Sequence, residues 1–151
     1  VGVVRRDPMA MKPFIGYNAG DYFAHWLRMG TLIEKKPLIF NVNWFRTDAN
    51  GKFMWPGYGD NFRVLEWVLK RCNNEVDARK TPIGYIPYAK DIDLTGLDGY
   101  TTADIENLLT IEKDVWEEEI AGIEKHFAGF DRLPAELENQ LQALKDRFAA
   151  I

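Results

Sequence analysis

The chain has 151 residues, of which 46% are hydrophobic and 28% charged, with a formal net charge of −4 and a single cysteine. That make-up excludes a disordered tail and an internal disulfide, and describes one globular domain or a piece of one, large enough to hide roughly 70% of its unfolded surface. No apolar run approaches the roughly 18 residues of a membrane span, and the opening residues, with Arg5, Arg6 and Asp7, lack the apolar core of a signal peptide. The expected location is therefore cytoplasmic, with no membrane partner. The first residue is Val1 rather than Met, as expected of a segment excised from something larger. Charge is uneven: residues 1–80 hold 13 Lys and Arg against 8 Asp and Glu, and residues 81–151 hold 6 against 15. The basic half is too dilute for a nucleic-acid backbone, so no DNA or RNA partner is expected, while a small phosphorylated ligand is allowed.

In chain order, residues 5–17 contain Pro8, Pro13 and Gly16 and read as extended chain. Asn18 or Asp21 then caps a short helix whose apolar side is Tyr22, Phe23, Trp26, Leu27 and Met29, with Gly30 as its stop. Residues 38–46 alternate as a half-buried strand: Leu38, Phe40, Val42 and Trp44 on one face, Ile39, Asn41, Asn43 and Phe45 on the other. The Asn50-Gly51 pair sends the chain back over residues 52–55 as a hairpin. After a glycine-rich bend at residues 56–59, Asp60 or Asn61 caps a helix with Phe62, Leu65, Leu69 and Cys72 on one face and Trp67 and Val68 flanking it. Residues 83–88 form a short strand ended by Pro87, and helices follow over 102–109, 112–127 and 134–148. In the last of these, Leu133, Leu137, Leu141, Leu144 and Phe148 repeat at helical spacing, with Pro134 in its first turn. The sum is an α/β unit of mixed strands with a β-hairpin and a helix-rich C-terminal third.

Seven aromatic residues fall within the 23 positions from Phe40 to Phe62, against 13 in the other 128. Alternation puts Phe45 on the polar face beside Asn41 and Asn43, and the hairpin can bring Phe53 and Tyr58 near it. Two rings around a planar base contribute about 1–3 kcal/mol per stacked base with little preference among bases. Discrimination needs polar groups: guanine offers N–H donors and a carbonyl acceptor on one edge, which a backbone carbonyl and an Asn amide can read. The same aromatics equally suit a hairpin that packs across its strands and onto a helix. Arg63, at a helix start where the dipole disfavours a cation, can answer an anion or pair with Glu66 one turn on.

Other catalytic signatures are missing. The sequence holds no G-x-x-x-x-G-K-[ST] loop, no G-x-S-x-G elbow, no H-E-x-x-H and no cysteine pair. His25 and His126 read as packed or dipole-paired, Cys72 as buried, and Glu117, Glu118 and Glu119 as a solvated helix face with Val115, Trp116, Ile120 and Ile123 turned inward.

Five runs in order, PFIGYNAGDYFAHW (residues 13–26), NVNWFR (41–46), GKFMWPGYGDN (51–61), RVLEW (63–67) and TPIGYIP (81–87), resemble the C-terminal end of GTP-dependent phosphoenolpyruvate carboxykinase. The resemblance implies an enzyme of gluconeogenesis that converts oxaloacetate and GTP to phosphoenolpyruvate, GDP and carbon dioxide with Mn2+ or Mg2+. Residues 1–151 would be the C-terminal part of its nucleotide-binding P-loop domain, lacking the P-loop itself, and a fragment of a larger kinase-like domain. By the same resemblance Phe45, Phe53 and Tyr58 hold the guanine ring, Trp44 adjoins the first of them, and Asn61 helps read the base edge. Tyr58 stands where the family more often has Phe. Phe14 matches an aromatic near the carboxylate substrate, and residues 1–7 the strand after the family's mobile lid. The phosphate loop and the metal ligands would lie upstream, so this chain alone is expected to hold no catalytic residue and no metal, and to be inactive without the remainder of the enzyme. The rival reading is a self-standing module whose hairpin aromatics hold a peptide or a sugar.

Overall fold

The computed structural model describes Asp7 and residues 11–151. The strand expected over residues 1–7 therefore lies outside the described residues except for Asp7. In chain order the helices are α1 (Ala19–Leu32), α2 (Asn61–Cys72), α3 (Thr102–Leu108), α4 (Lys113–Phe127) and α5 (Ala135–Ala149). Strands β1 (Arg79–Thr81) and β2 (Gly84–Ile86) pair antiparallel in the register Arg79↔Ile86, Lys80↔Tyr85 and Thr81↔Gly84. Among the described residues the fold is helix-rich with one short two-stranded ladder. It divides into two compact units, one from the described residues up to Lys36 together with Glu112–Ile151, the other Pro37–Ile111. Among the described residues no helix is long and apolar enough to cross a membrane.

In the first unit, Asn18 caps α1 as expected, its side-chain oxygen accepting the Gly20 N–H at 2.8 Å. Gly30 does not stop the helix, which runs two residues further before Ile33 turns extended. A mid-helix glycine costs about 1 kcal/mol relative to alanine, too little to end a helix by itself. Gly20 is buried because the backbone of residue 132 crosses there: a Cβ would lie 2.6 Å from the Arg132 carbonyl carbon and closer still to its oxygen. The crossing is fastened by the Arg132–Asp21 ion pair at 2.8 Å and an edge contact between Phe23 and Phe130. Residues 12–14 form a 3-10 turn rather than extended chain, since Pro13 suits a first turn and the Asp7 carboxylate accepts the Met11 and Lys12 N–H groups. α4 and α5 pack through Trp116 stacked on Phe148 and through Ile120, with Lys145 and Glu124 paired at 2.7 Å. Val115, expected inward, is exposed.

In the second unit the core is Trp55, Trp67, Ala89, Ile92 and Ile105, with Phe40, Trp44, Val64 and Val68 packed against it. The helix face expected to be buried is the exposed one. Phe62, Leu65, Leu69 and Cys72 of α2 face outward, and Val64, Trp67 and Val68 face in. Both stripes keep helical spacing, so periodicity alone cannot choose; Trp67, 4% exposed and edge-on to Phe40, decides it. The expected strand over residues 38–46 forms no ladder among the described residues; the nearest pairing is a single Thr47↔Phe53 bridge just beyond it. Its alternation survives only in part: Phe40 and Trp44 pack against the core and Ile39 and Phe45 are exposed, but Leu38 and Val42, expected on the inward face, are exposed as well. β1 was not expected. Three arginines fasten the loops: Arg46 donates to the carbonyls of Leu108 and Thr110, Arg79 to that of Leu109, and Arg63 to those of Asp93 and Thr95.

Candidate functional site

The bend between residues 46 and 61 shapes a cleft of about 460 Å³. One side begins with the hairpin turn, where the Asp48 carboxylate accepts the N–H groups of Asn50 and Lys52 at 2.8 and 2.9 Å. Those two bonds, Lys52 first, hold the Asp48 carboxyl below the ordinary carboxylate value. Gly51 takes a positive φ of 77° at the tip, and the Met54 N–H returns to the Arg46 carbonyl at 2.9 Å. The turn so locked sets Phe53 opposite Phe45, ring centroids 6.0 Å apart and inclined at 69°. Phe45 is aimed outward because its own N–H is held by the Asn43 side-chain oxygen at 2.9 Å.

The far side begins at Gly57, whose φ of 142° only glycine adopts without strain. A 3-10 turn over Tyr58–Asp60 leads into α2, and Asn61 is the first residue of that helix. Asp60 occupies the cap position, but its carboxylate takes the Arg63 Nε–H at 2.9 Å instead of a backbone N–H. That corrects the expected Arg63–Glu66 pairing; Glu66 binds Lys70 at 2.7 Å. Trp55 lies at the base, 5% exposed, its indole N–H shared between the Asn61 side-chain oxygen at 2.9 Å and the Gly57 carbonyl at 3.1 Å.

The structure thus sets Trp44, Phe45, Phe53, Tyr58 and Asn61 along one cleft. Phe45, Phe53 and Tyr58 are 75%, 56% and 92% exposed, so their faces are open to a ligand and do not belong to the core. Trp44 differs: it packs on the core, and its indole N–H is buried without an acceptor among the described residues. Phe14 is not in the cleft; it is 87% exposed in the other unit. Among the described residues no three His, Cys, Asp or Glu side chains come together as a metal site. His25 stacks on Tyr22, and His126 meets the Phe130 ring edge-on at 5.0 Å. Cys72, expected buried, is exposed.

A family model described as the phosphoenolpyruvate carboxykinase C-terminal P-loop domain matches residues 1–147. The chain belongs to the GTP-dependent phosphoenolpyruvate carboxykinase family. It is 51% identical over 152 residues to the phosphoenolpyruvate carboxykinase (GTP) of Arthrobacter sp. (strain FB24), an alignment covering 99% of this chain and 25% of that protein. It is 48% identical over 151 residues to the cytosolic phosphoenolpyruvate carboxykinase (GTP) of Bos taurus, and 46% identical over 147 residues to the phosphoenolpyruvate carboxykinase (GTP) of Thermoplasma volcanium, each alignment covering 97% of this chain and 24% of the relative. The chain spans about a quarter of the length of the curated relatives it matches.

Five residues lining the cleft, Lys52, Trp55, Pro56, Gly57 and Tyr100, are not among the site residues expected from the sequence. Trp55 had a readable signal, an aromatic six positions before an Asn across a Pro-Gly bend. Tyr100 had none, because it reaches the cleft from some 40 positions downstream, through a loop whose Asp93 and Thr95 carbonyls are held by Arg63.

Proposed function

We propose that this chain is the guanine-holding part of the nucleotide-binding P-loop domain of a cytoplasmic, kinase-like GTP-dependent phosphoenolpyruvate carboxykinase. That enzyme converts oxaloacetate and GTP to phosphoenolpyruvate, GDP and carbon dioxide in gluconeogenesis. The observation that carries the reading is the joint presence of three accessible aromatic faces and one amide on a single cleft. Phe45 and Phe53 supply flat apolar surface for the purine, and Tyr58 adds a third ring from the bend. Each stacked base is worth about 1–3 kcal/mol, whichever base it is. Choice among bases falls to Asn61, since a base of the wrong pattern leaves the amide facing an unpaired polar edge.

Holding a base positions the nucleotide but transfers nothing. Phosphoryl transfer depends on positioning and on charge neutralisation around the phosphates. We assign those tasks, and the metal, to residues outside this chain. The Mn2+ or Mg2+ that the family implies finds no ligand set among the described residues, and the chemistry proposed for this chain is confined to the base. Phe14 is proposed to sit beside the carboxylate substrate.

Tryptophan fluorescence tests the reading. In the complete carboxykinase carrying this chain, GDP should quench the Trp44 and Trp55 emission, ADP should do so only at much higher concentration, and a neutral sugar should do nothing. Quenching by the sugar alone would replace the proposal with a self-standing sugar-binding module.

A further inference from the structure

Trp55 is the deepest aromatic of the cleft, and neither stacking nor phosphate chemistry gives it a task. Its bonds do. An indole N–H can only donate, so the end of the Asn61 amide that meets it at 2.9 Å must be the oxygen. The amide NH2 is then the end left for the cleft. Without that anchor the two ends of an Asn side chain are nearly the same size, and a half-turn about the last bond exchanges a donor for an acceptor. A donor there meets the carbonyl of guanine and opposes the amino group of adenine, whereas an acceptor does the reverse.

We propose that Trp55 is a positioning residue that makes Asn61 selective for guanine, by holding the amide oxygen on its indole N–H. The inference rests on the assignment of Asn61 as the reader of the base. The same indole N–H also binds the Gly57 carbonyl at 3.1 Å. That carbonyl is brought there by a φ of 142°, so the bend and the amide are fixed by one buried donor. Burial at 5% exposure keeps water from competing for it.

The test uses the complete enzyme with two replacements at this position: Trp55→Phe, and benzothienylalanine, which keeps both rings and exchanges the N–H for sulfur. The quantity read is the ratio of kcat/KM for GTP to that for ATP, with Asn61→Ala as the reference. Both replacements are expected to lower the ratio about tenfold, through a higher KM for GTP and not for ATP. A residue that only packs would weaken both nucleotides alike, and an unchanged ratio overturns the proposal. If Asn61→Ala also leaves the ratio unchanged, Asn61 does not read the base and both readings fall. If Asn61→Ala collapses the ratio and the two replacements preserve it, the inference about Trp55 alone is wrong.

Discussion

If the complete protein has the proposed activity, replacing Phe45 with alanine in it is expected to raise the KM for GTP by roughly tenfold or more, the loss of one stacking face being worth about 1–3 kcal/mol. Phe45 is 75% exposed and makes its ring contact with Phe53, so little of the core depends on it. A surface truncation of this kind changes stability by about 0.5 kcal/mol or less, so the kinetic loss reports binding and not unfolding. Because stacking is the same in the ground state and the transition state, the change belongs mainly in KM. ATP and GTP should suffer alike, in contrast to the selective loss expected at Asn61. If KM for GTP and the rate at saturating GTP are both unchanged in steady-state kinetics, the cleft is not the base site.

The second large effect is structural. Gly20→Ala is expected to destabilise the unit formed by α1, α4 and α5 by about 3 kcal/mol, the upper end of ordinary overpacking, because the new methyl meets a backbone carbonyl that cannot rotate away. Gly30→Ala in the same helix should act in the opposite direction. Nothing lies within 4 Å of a Cβ built at Gly30, and alanine is favoured over glycine inside a helix by about 1 kcal/mol. Denaturant midpoints of the two variants, measured side by side, check both signs. A neutral Gly20→Ala would mean that the chain at residue 132 does not cross α1 where it is placed.

Local signals decided much of this fold. Asn18 as a cap, the helical spacing of Leu133 to Phe148 and the Asn50-Gly51 turn each depend on neighbours a few positions away, and each is found. Three things were not legible, for separate reasons. α2 carries two apolar stripes, and which one is buried depends on where Phe40 arrives from another part of the chain. Residues 38–46 have the alternation of a strand, but a strand also needs a partner, which alternation does not supply. Arg46, Arg63 and Arg79 bind carbonyls 30 to 64 positions away; no charge pattern marks a backbone oxygen as a partner. Within the site, the rings were legible because aromatics crowd the sequence there. The orientation of the Asn61 amide was not, since it follows from a hydrogen bond made only after the bend has closed.

A crystal structure of the complete enzyme with GDP would test the central claim most directly. The purine should lie against Phe45 and Phe53 with Tyr58 at its edge and the Asn61 NH2 within hydrogen-bond distance of the base carbonyl. A purine held elsewhere, with these rings and the Trp55–Asn61 bond left as they are without nucleotide, would contradict it.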